Sequence, residues 1–320
     1  MAVGSGSGPA IPEVGPWAER KLDILARYLA AYTTVFQGIN RTRAEKSRTP
    51  FKTVYVDAFA GAGTARIRPG EAASPSSPTL AFVETVRDQD EGVQQVIAGS
   101  PRRALALPHP FDVYVFVEQA PDRLAQLHAL AQEFGARLGP ERVLVREGDC
   151  NAYLRDQLLD PRRNWKVWRG LVFLDPFGMD VPWETVERLG ATGAIEVFIN
   201  FPLQMCIQRF MRRNPAEITA AEHERLDRYF GGRGWFEQAY ETRADMFGGS
   251  AVAKRGDANE RLLAWYRGRL AEHFGCVSPA GLITNTVGGP LYYLIHAGPN
   301  ATGSKIASEV LERPAKARRR

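Results

Sequence analysis

A buried strand that breaks into Gly-x-Gly fixes the centre of this chain. Residues Phe51 to Val56 are apolar and β-branched enough for a strand covered on both faces, and they run straight into Asp57-Ala58-Phe59-Ala60-Gly61-Ala62-Gly63-Thr64. Glycines at that point let backbone approach a ligand closely, because no Cβ stands in the way. The residues after the glycines exclude two nucleotide loops. A phosphate loop of the ATP type ends Gly-Lys-Ser/Thr, and no Lys stands at that place here. The dinucleotide fingerprint needs a third glycine three residues after Gly63, where Arg66 stands. What remains is Asp-x-Phe-x-Gly-x-Gly, either a cofactor loop of another kind or a Gly-rich turn in some other α/β protein.

Composition narrows the class. With 320 residues, 44% of them hydrophobic, the chain can bury one α/β domain with an insertion, or two modest domains. No stretch approaches the roughly 20 apolar residues of a membrane span. Met1 to Pro9 is Gly/Ser-rich without a basic flank or an apolar run. Residues 1–15 are therefore expected to be a disordered tail rather than a signal peptide. Cys150, Cys206 and Cys276 lie far apart with no Cys-x-x-Cys spacing, which points to no disulfide framework and no metal site, and fits a reducing cytoplasm. A net charge of +5 permits a nucleic-acid partner without demanding one, since part of it sits in the basic tail, residues 313–320, at Lys316, Arg318, Arg319 and Arg320.

Taken in order, the chain alternates helices with strands that end in polar residues. Leu22, Leu25, Leu29, Tyr32 and Phe36 form a helical stripe, with Trp17 as an anchor before it. Gly38 and the run Arg41 to Arg48 close that helix; the run reads as a solvated connector or as a phosphate-contacting loop. Arg66 to Pro78, rich in Pro, Ser and Gly, is expected to form a mobile loop over the mouth, and Thr79 to Arg87 a helix. Asp112 to Glu118 is a strand. In a Rossmann-like sheet the acid closing the second strand accepts from the ribose hydroxyls, which fits Glu118. It lies about 55 residues beyond Gly63 rather than the usual ~20, a gap assigned to the inserted loop and helix. Leu124 to Leu138 is helical, and Val143 to Arg146 is a short third strand leading to Asp149-Cys150-Asn151. Asp149 can N-cap the helix Ala152 to Leu159.

Two further strands end in polar groups beside aromatics and proline: Leu174-Asp175-Pro176-Phe177-Gly178 and Asn200-Phe201-Pro202. Both fall at the carboxyl edge of a parallel sheet, where open α/β sheets take their ligands. Cys206 lacks a Pro-Cys setting and reads as a structural thiol. Residues 203–256 interleave Arg209, Arg212, Arg213, Arg225 and Arg228 with aromatics, a pattern suited either to a helical insert that contacts nucleic acid or to ordinary core packing. Gly281 to Val287 and Leu291 to His296 are joined by Gly288-Gly289-Pro290, so they pair antiparallel as a hairpin. Residues 16–202 and 257–312 thus form one core around the insert.

These motifs carry a resemblance. Asp57 to Gly63 resembles the first motif of class I S-adenosylmethionine-dependent methyltransferases, and Asp175-Pro176-Phe177 is similar to the Asp/Asn-Pro-Pro-Tyr/Phe motif of those acting on amino groups of bases, without its second Pro. Together with Gly15-Pro16-Trp17, Lys21 and Asn200-Phe201-Pro202, the chain resembles the three-Cys-motif partner protein family, TcmP, from about Pro16 to Leu311. The resemblance implies an α/β, Rossmann-like seven-stranded class I methyltransferase sheet whose last strands form an antiparallel hairpin, with a helical insert. It implies S-adenosyl-L-methionine as cofactor, held by Asp57, Phe59, Gly61, Gly63, Thr64 and Glu118, with Asp149 and Cys150 at the adenine. It implies Asp175, Pro176, Phe177 and Asn200 around the methyl acceptor, and a three-Cys-motif radical-SAM-like protein as partner. Three activities stay open: methyl transfer to a nucleic-acid base or other planar amine, transfer to a small molecule or peptide, and a binding module that uses the fold without catalysis.

Overall fold

The computed structural model describes residues 13–67, 83–86, 94–244 and 250–312. Its main sheet contains β1 (Lys52–Asp57), β2 (Val113–Glu118), β3 (Val143–Glu147), β4 (Trp168–Leu174), β5 (Ile195–Phe201), β6 (Gly281–Thr284) and β7 (Pro290–Gly298). They lie in the order β3-β2-β1-β4-β5-β7-β6. Strands β1 to β5 are parallel, and β7 runs antiparallel to both β5 and β6. The short strand Cys276–Val277 extends the β6 edge along β7. Five parallel strands whose order reverses between β1 and β4, closed by a hairpin whose return strand inserts beside β5, define the class I methyltransferase form of the Rossmann-like fold.

The period of two in each strand divides the core. Val54, Val56, Val172, Leu174, Val197 and Ile199 face one side, while Tyr55, Tyr114, Phe116, Phe173 and Phe198 face the other. Helix α1 (Trp17–Glu45) covers the aromatic side together with α2 (Ser100–Leu105), α3 (Pro121–Leu138) and α9 (Ala301–Glu312); α4 (Cys150–Tyr153), α5 (Trp183–Ala191) and α8 (Ala258–Phe274) cover the first. A polar knot fastens α1 to the sheet. The Tyr28 hydroxyl donates to Glu196 on β5 and lies 2.9 Å from His296 Nε2 on β7, and Asn300 Nδ2 donates to Glu196 Oε1 at 2.9 Å. His296 is fully buried there, inside a strand.

Between β1 and β2 the expected loop and helix are replaced by a second sheet. Strands Thr64–Ile67, Val83–Val86 and Gln94–Ala98 join Glu13–Val14 in it. Val83, Thr85 and Val86 are β-branched, which favours a strand over the helix expected from Thr79 to Arg87. The remainder of that helix and residues 68–78 of the expected loop lie outside the described residues. The tail expected over 1–15 gives way at Glu13, which pairs with Arg66; residues 1–12 and the basic tail 313–320 lie outside the described residues. Helix α1 continues to Glu45, so Arg41 and Arg43 extend it rather than close it. The Trp17 ring folds back onto Gly15 so closely that any Cβ there would collide with it.

Residues 203–256 open with a π turn, carry α6 (Ala220–Phe230) and α7 (Gly234–Ala239), and end in the hairpin Tyr240–Ala244 with Ser250–Lys254. Thr219 and Glu222 cap α6 reciprocally, and Gly231 ends it in the left-handed region at φ 69°. Leu226, Tyr229, Phe230, Trp235 and Tyr240 are buried, and Tyr266 stacks on both Phe201 and Tyr229. These aromatics of the insert are core residues rather than a stacking surface.

Candidate functional site

The glycine loop is stitched to the strands beside it. Ala58 N donates to Phe173 O at 3.1 Å and Ala60 N to Val117 O at 3.0 Å, so the turn lies across the ends of β4 and β2. Its two glycines differ in purpose. At Gly61 (φ 64°) a Cβ would meet nothing within 4 Å, leaving an open approach to the backbone. At Gly63 (φ 77°) a Cβ would stand 2.8 Å from Leu130 Cδ2, so that glycine serves packing. Gly99, which belongs to no sequence motif, holds the loop from behind. Its N–H donates to Gly63 O at 2.8 Å, and a Cβ on it would lie 2.9 Å from the Gly63 carbonyl carbon. Phe59 packs partly buried against the core, and Thr64 opens the strand that pairs with Ala98.

Two acids frame this loop differently. Glu118 Oε2 accepts from Gly61 N at 2.9 Å, while Oε1 accepts from Gln119 N and Ala120 N, each at 2.9 Å, at the start of α3. Three backbone donors use most of the roughly four acceptor positions of a carboxylate, leaving about one for a ligand hydroxyl. Asp57 is wholly buried. Burial pushes its carboxyl up to about 7 against hydrogen bonds from Ser100, Phe59 N and Tyr55, with Asp175 adding repulsion. Asp57 Oδ1 has no partner among the described residues. At the end of β3, Asp149 Oδ1 caps α4 by accepting from Ala152 N at 2.8 Å, and Gln119 Nε2 reaches Oδ2 at 3.4 Å. The Cys150 side chain turns into the core, and burial pushes its thiol up to about 12.

Beyond β4 the chain builds a second polar group around Asp175. Pro176 is buried, which turns Phe177 outward with 87% of its surface exposed. Asn200 Nδ2, at the end of β5, donates to Asp175 Oδ1 at 2.9 Å, and Asn200 Oδ1 is buried without a partner among the described residues. The other Asp175 oxygen takes a salt bridge from Lys21 on the second turn of α1. Burial opposes the Lys21 charge, but Asp175, then Tyr292 and Asp57, more than offset it and raise its pKa. In the sequence Lys21 enters only as part of a resemblance. Its sole local signal is a lysine on the helix edge beside the apolar stripe.

The fold therefore brings Asp57, Asp175 and Asn200 into one cluster with Lys21, and Glu118, Gly61 and Asp149 into a neighbouring one, all along the carboxyl edge of β1 to β5. Cys206 stands apart as a partly buried thiol whose pKa burial raises. Among the described residues no group of three or more His, Cys, Asp or Glu could hold a metal ion. No described helix is long and apolar enough to cross a membrane.

No protein-family model and no curated protein matches the sequence. Among solved structures, the chain is similar to a Legionella pneumophila str. Philadelphia 1 protein of family-model DUF519, with 13% identity over 87% of this chain and 97% of that chain and a TM-score of 0.36. It is similar to the putative methyltransferase yhhF from Escherichia coli, with 11% identity, coverages of 83% and 87% and a TM-score of 0.29. A third is TYW2 of M. jannaschii in complex with AdoMet, with 13% identity, coverages of 81% and 74% and a TM-score of 0.29. These likenesses are remote; the order and direction of the strands define the fold class.

Proposed function

We propose that this chain is an S-adenosyl-L-methionine-dependent methyltransferase acting on an amino group of a nucleic-acid base or another planar substrate. The observation that carries the reading is the sharing of one sheet edge by the open Gly61 loop with Glu118 and by Asp175, Asn200 and exposed Phe177. The residues suit the cofactor: Gly61 leaves room for close approach, and Asp57 Oδ1 is a buried acceptor without a donor among the described residues. Glu118 would take one ribose hydroxyl with its remaining acceptor position. Asp149 Oδ2 would accept from the adenine amine beside Cys150, and Asp57 would face the cofactor's ammonium group. S-adenosyl-L-methionine, when bound, supplies a methyl carbon carried on a sulfonium.

The chain's own part is orientation and desolvation, which carry most of the rate when the acceptor is an amine. Asp175 and the free Asn200 Oδ1 accept the amine's hydrogens and aim its lone pair, and Phe177 stacks the planar ring. Lys21 and Asn200 fix the carboxylate, one on each oxygen. A hydroxyl acceptor would need a general base, and neither strand-end motif contains a histidine. The resemblance to TcmP adds a three-Cys-motif radical-SAM-like protein as a partner in this reading. A tritiated-methyl assay with tRNA, rRNA, DNA and that partner tests it. Label transferred to one of these and lost in Asp175→Ala is expected; transfer retained in Asp175→Ala would remove Asp175 from the site.

A further inference from the structure

The opposite edge of the sheet carries a separate concentration of positive charge. Two pairs of cations there each share one aromatic ring. The Arg43 and Arg169 guanidinium carbons both lie 4.0 Å from the centre of the Phe51 ring, so they are at most twice that distance apart. Lys52 Nζ and the Arg163 guanidinium lie 5.6 and 5.5 Å from the Trp168 ring, and Arg163 also lies 5.8 Å from Trp165. The pairing of β1 with β4 makes the two sets continuous, since Lys52 sits opposite Trp168 and Thr53 opposite Arg169.

None of these four cations has a carboxylate within 4.0 Å among the described residues. Arg43 and Arg169 are held instead by backbone oxygens, of Thr49 at 2.8 Å and of Trp165 and Trp168 at 2.8 and 2.7 Å, and Arg163 Nε is buried without a partner among those residues. Burial, followed by the repulsion of Arg43, lowers the pKa of Arg169. The nearby acids do not relieve this. Asp112 is bonded to Thr53, and Asp160 pairs with Arg162. Two open grooves flank the stripe, one of about 420 Å³ beside Arg43, Lys46 and Arg48, the other of about 660 Å³ beside Arg163, Trp165 and Lys166. Like charges crowded without counter-ions disfavour the fold locally, so the arrangement suits a polyanion that replaces the missing carboxylates.

We propose that this amino edge, from the end of α1 to the start of β4, binds single-stranded nucleic acid. Guanidinium planes and partly exposed rings in alternation provide both phosphate contacts and base stacking, the two components of such binding. An acidic peptide would use the charges and leave the rings idle. The surface lies about 20 Å from the carboxyl edge along the strands, so its occupancy does not depend on the methyl-transfer reading.

Fluorescence anisotropy of labelled oligouridine and oligothymidine, without cofactor and at rising salt, tests the proposal. The exposed charges are reversed in Lys46→Glu/Arg48→Glu/Lys166→Glu, the stacking ring is removed in Trp165→Ala, and Arg209→Glu/Arg213→Glu in the insert is the control; thermal melts establish that each variant folds. The triple variant is expected to lose affinity about tenfold or more and to flatten the salt slope by about 3, one for each lost phosphate contact. Trp165→Ala is expected to weaken binding with the slope unchanged, and the insert variant to bind like the parent. A preference between the two oligonucleotides identifies which nucleic acid the surface takes. Polyglutamate bound as tightly as either one, affinity lost in the insert variant alone, or no saturable binding of either oligonucleotide would overturn the proposal.

Discussion

Lys21 and Asp175, 154 residues apart in sequence, form a salt bridge at the carboxyl edge of the sheet. Asn200 holds the second oxygen of the same carboxylate at 2.9 Å. The first helix therefore does more than cover the aromatic core. It delivers a cation to the strand-end acid, and Tyr28, two turns along the same face, fastens the helix to Glu196.

Removing that cation leaves a poorly solvated carboxylate unpaired. Lys21→Met is expected to lower stability by roughly 3 kcal/mol, the low end for breaking a buried pair, because both side chains keep some exposure. The raised Lys21 pKa keeps this contribution intact below the ordinary lysine value near 10.5 and removes it as pH rises past the folded value. Lys21→Met/Asp175→Asn should regain most of the loss in urea unfolding while methyl transfer stays abolished. A single variant as stable as the parent would mean that the pair is not maintained in solution.

Asp57 makes a pH-dependent prediction of opposite sign. Its folded pKa is raised from 3.8 to about 7, so between those values the folded state holds the proton more tightly than the unfolded chain. Its contribution to stability is therefore largest below pH 4 and declines as pH rises to about 7, by on the order of 4 kcal/mol if the site does not relax. Unfolding of the parent and Asp57→Asn should be compared from pH 4 to pH 8, so that other carboxylates cancel. The parent is expected to lose stability relative to the variant across that range; parallel curves would show that Asp57 ionises as an ordinary surface acid does.

How far the sequence disclosed this arrangement depended on locality. Strands β1, β2, β4 and β5 were legible because parallel strands buried on both faces read as continuous apolar runs. Asp57, Glu118, Asp175 and Asn200 were legible because each stands at the end of such a run. Lys21 was not, since Glu19, Arg20 and Asp23 around it look like a solvated helix face until α1 docks. Nor was the second sheet. Its strands are short, and pairing Glu13 with Arg66 or Thr64 with Ala98 is long-range information that no local pattern contains. Gly99 was invisible for the same reason, because its need to be glycine comes from Gly63 across that pairing.

Phe177 separates binding from stability. Its side chain is almost fully solvated, so Phe177→Ala should change stability by no more than about 0.5 kcal/mol. Loss of a stacked planar acceptor should raise KM about tenfold or more, from roughly 1–3 kcal/mol of stacking. Steady-state kinetics on the identified acceptor read this directly. An unchanged KM would assign Phe177 to a contact with another macromolecule instead.

The central claim is that the Gly61 loop with Glu118 forms a cofactor site. Calorimetric titration of S-adenosyl-L-methionine into the parent protein and into Gly61→Val tests it most directly, because a Cβ at Gly61 touches nothing in the protein itself and would intrude only on a ligand. The φ of 64° adds about 1–2 kcal/mol of local strain, which a thermal melt measures separately. The account predicts one micromolar site in the parent, lost in a Gly61→Val protein that still folds. No binding to the parent, or equal binding to both proteins, would contradict it.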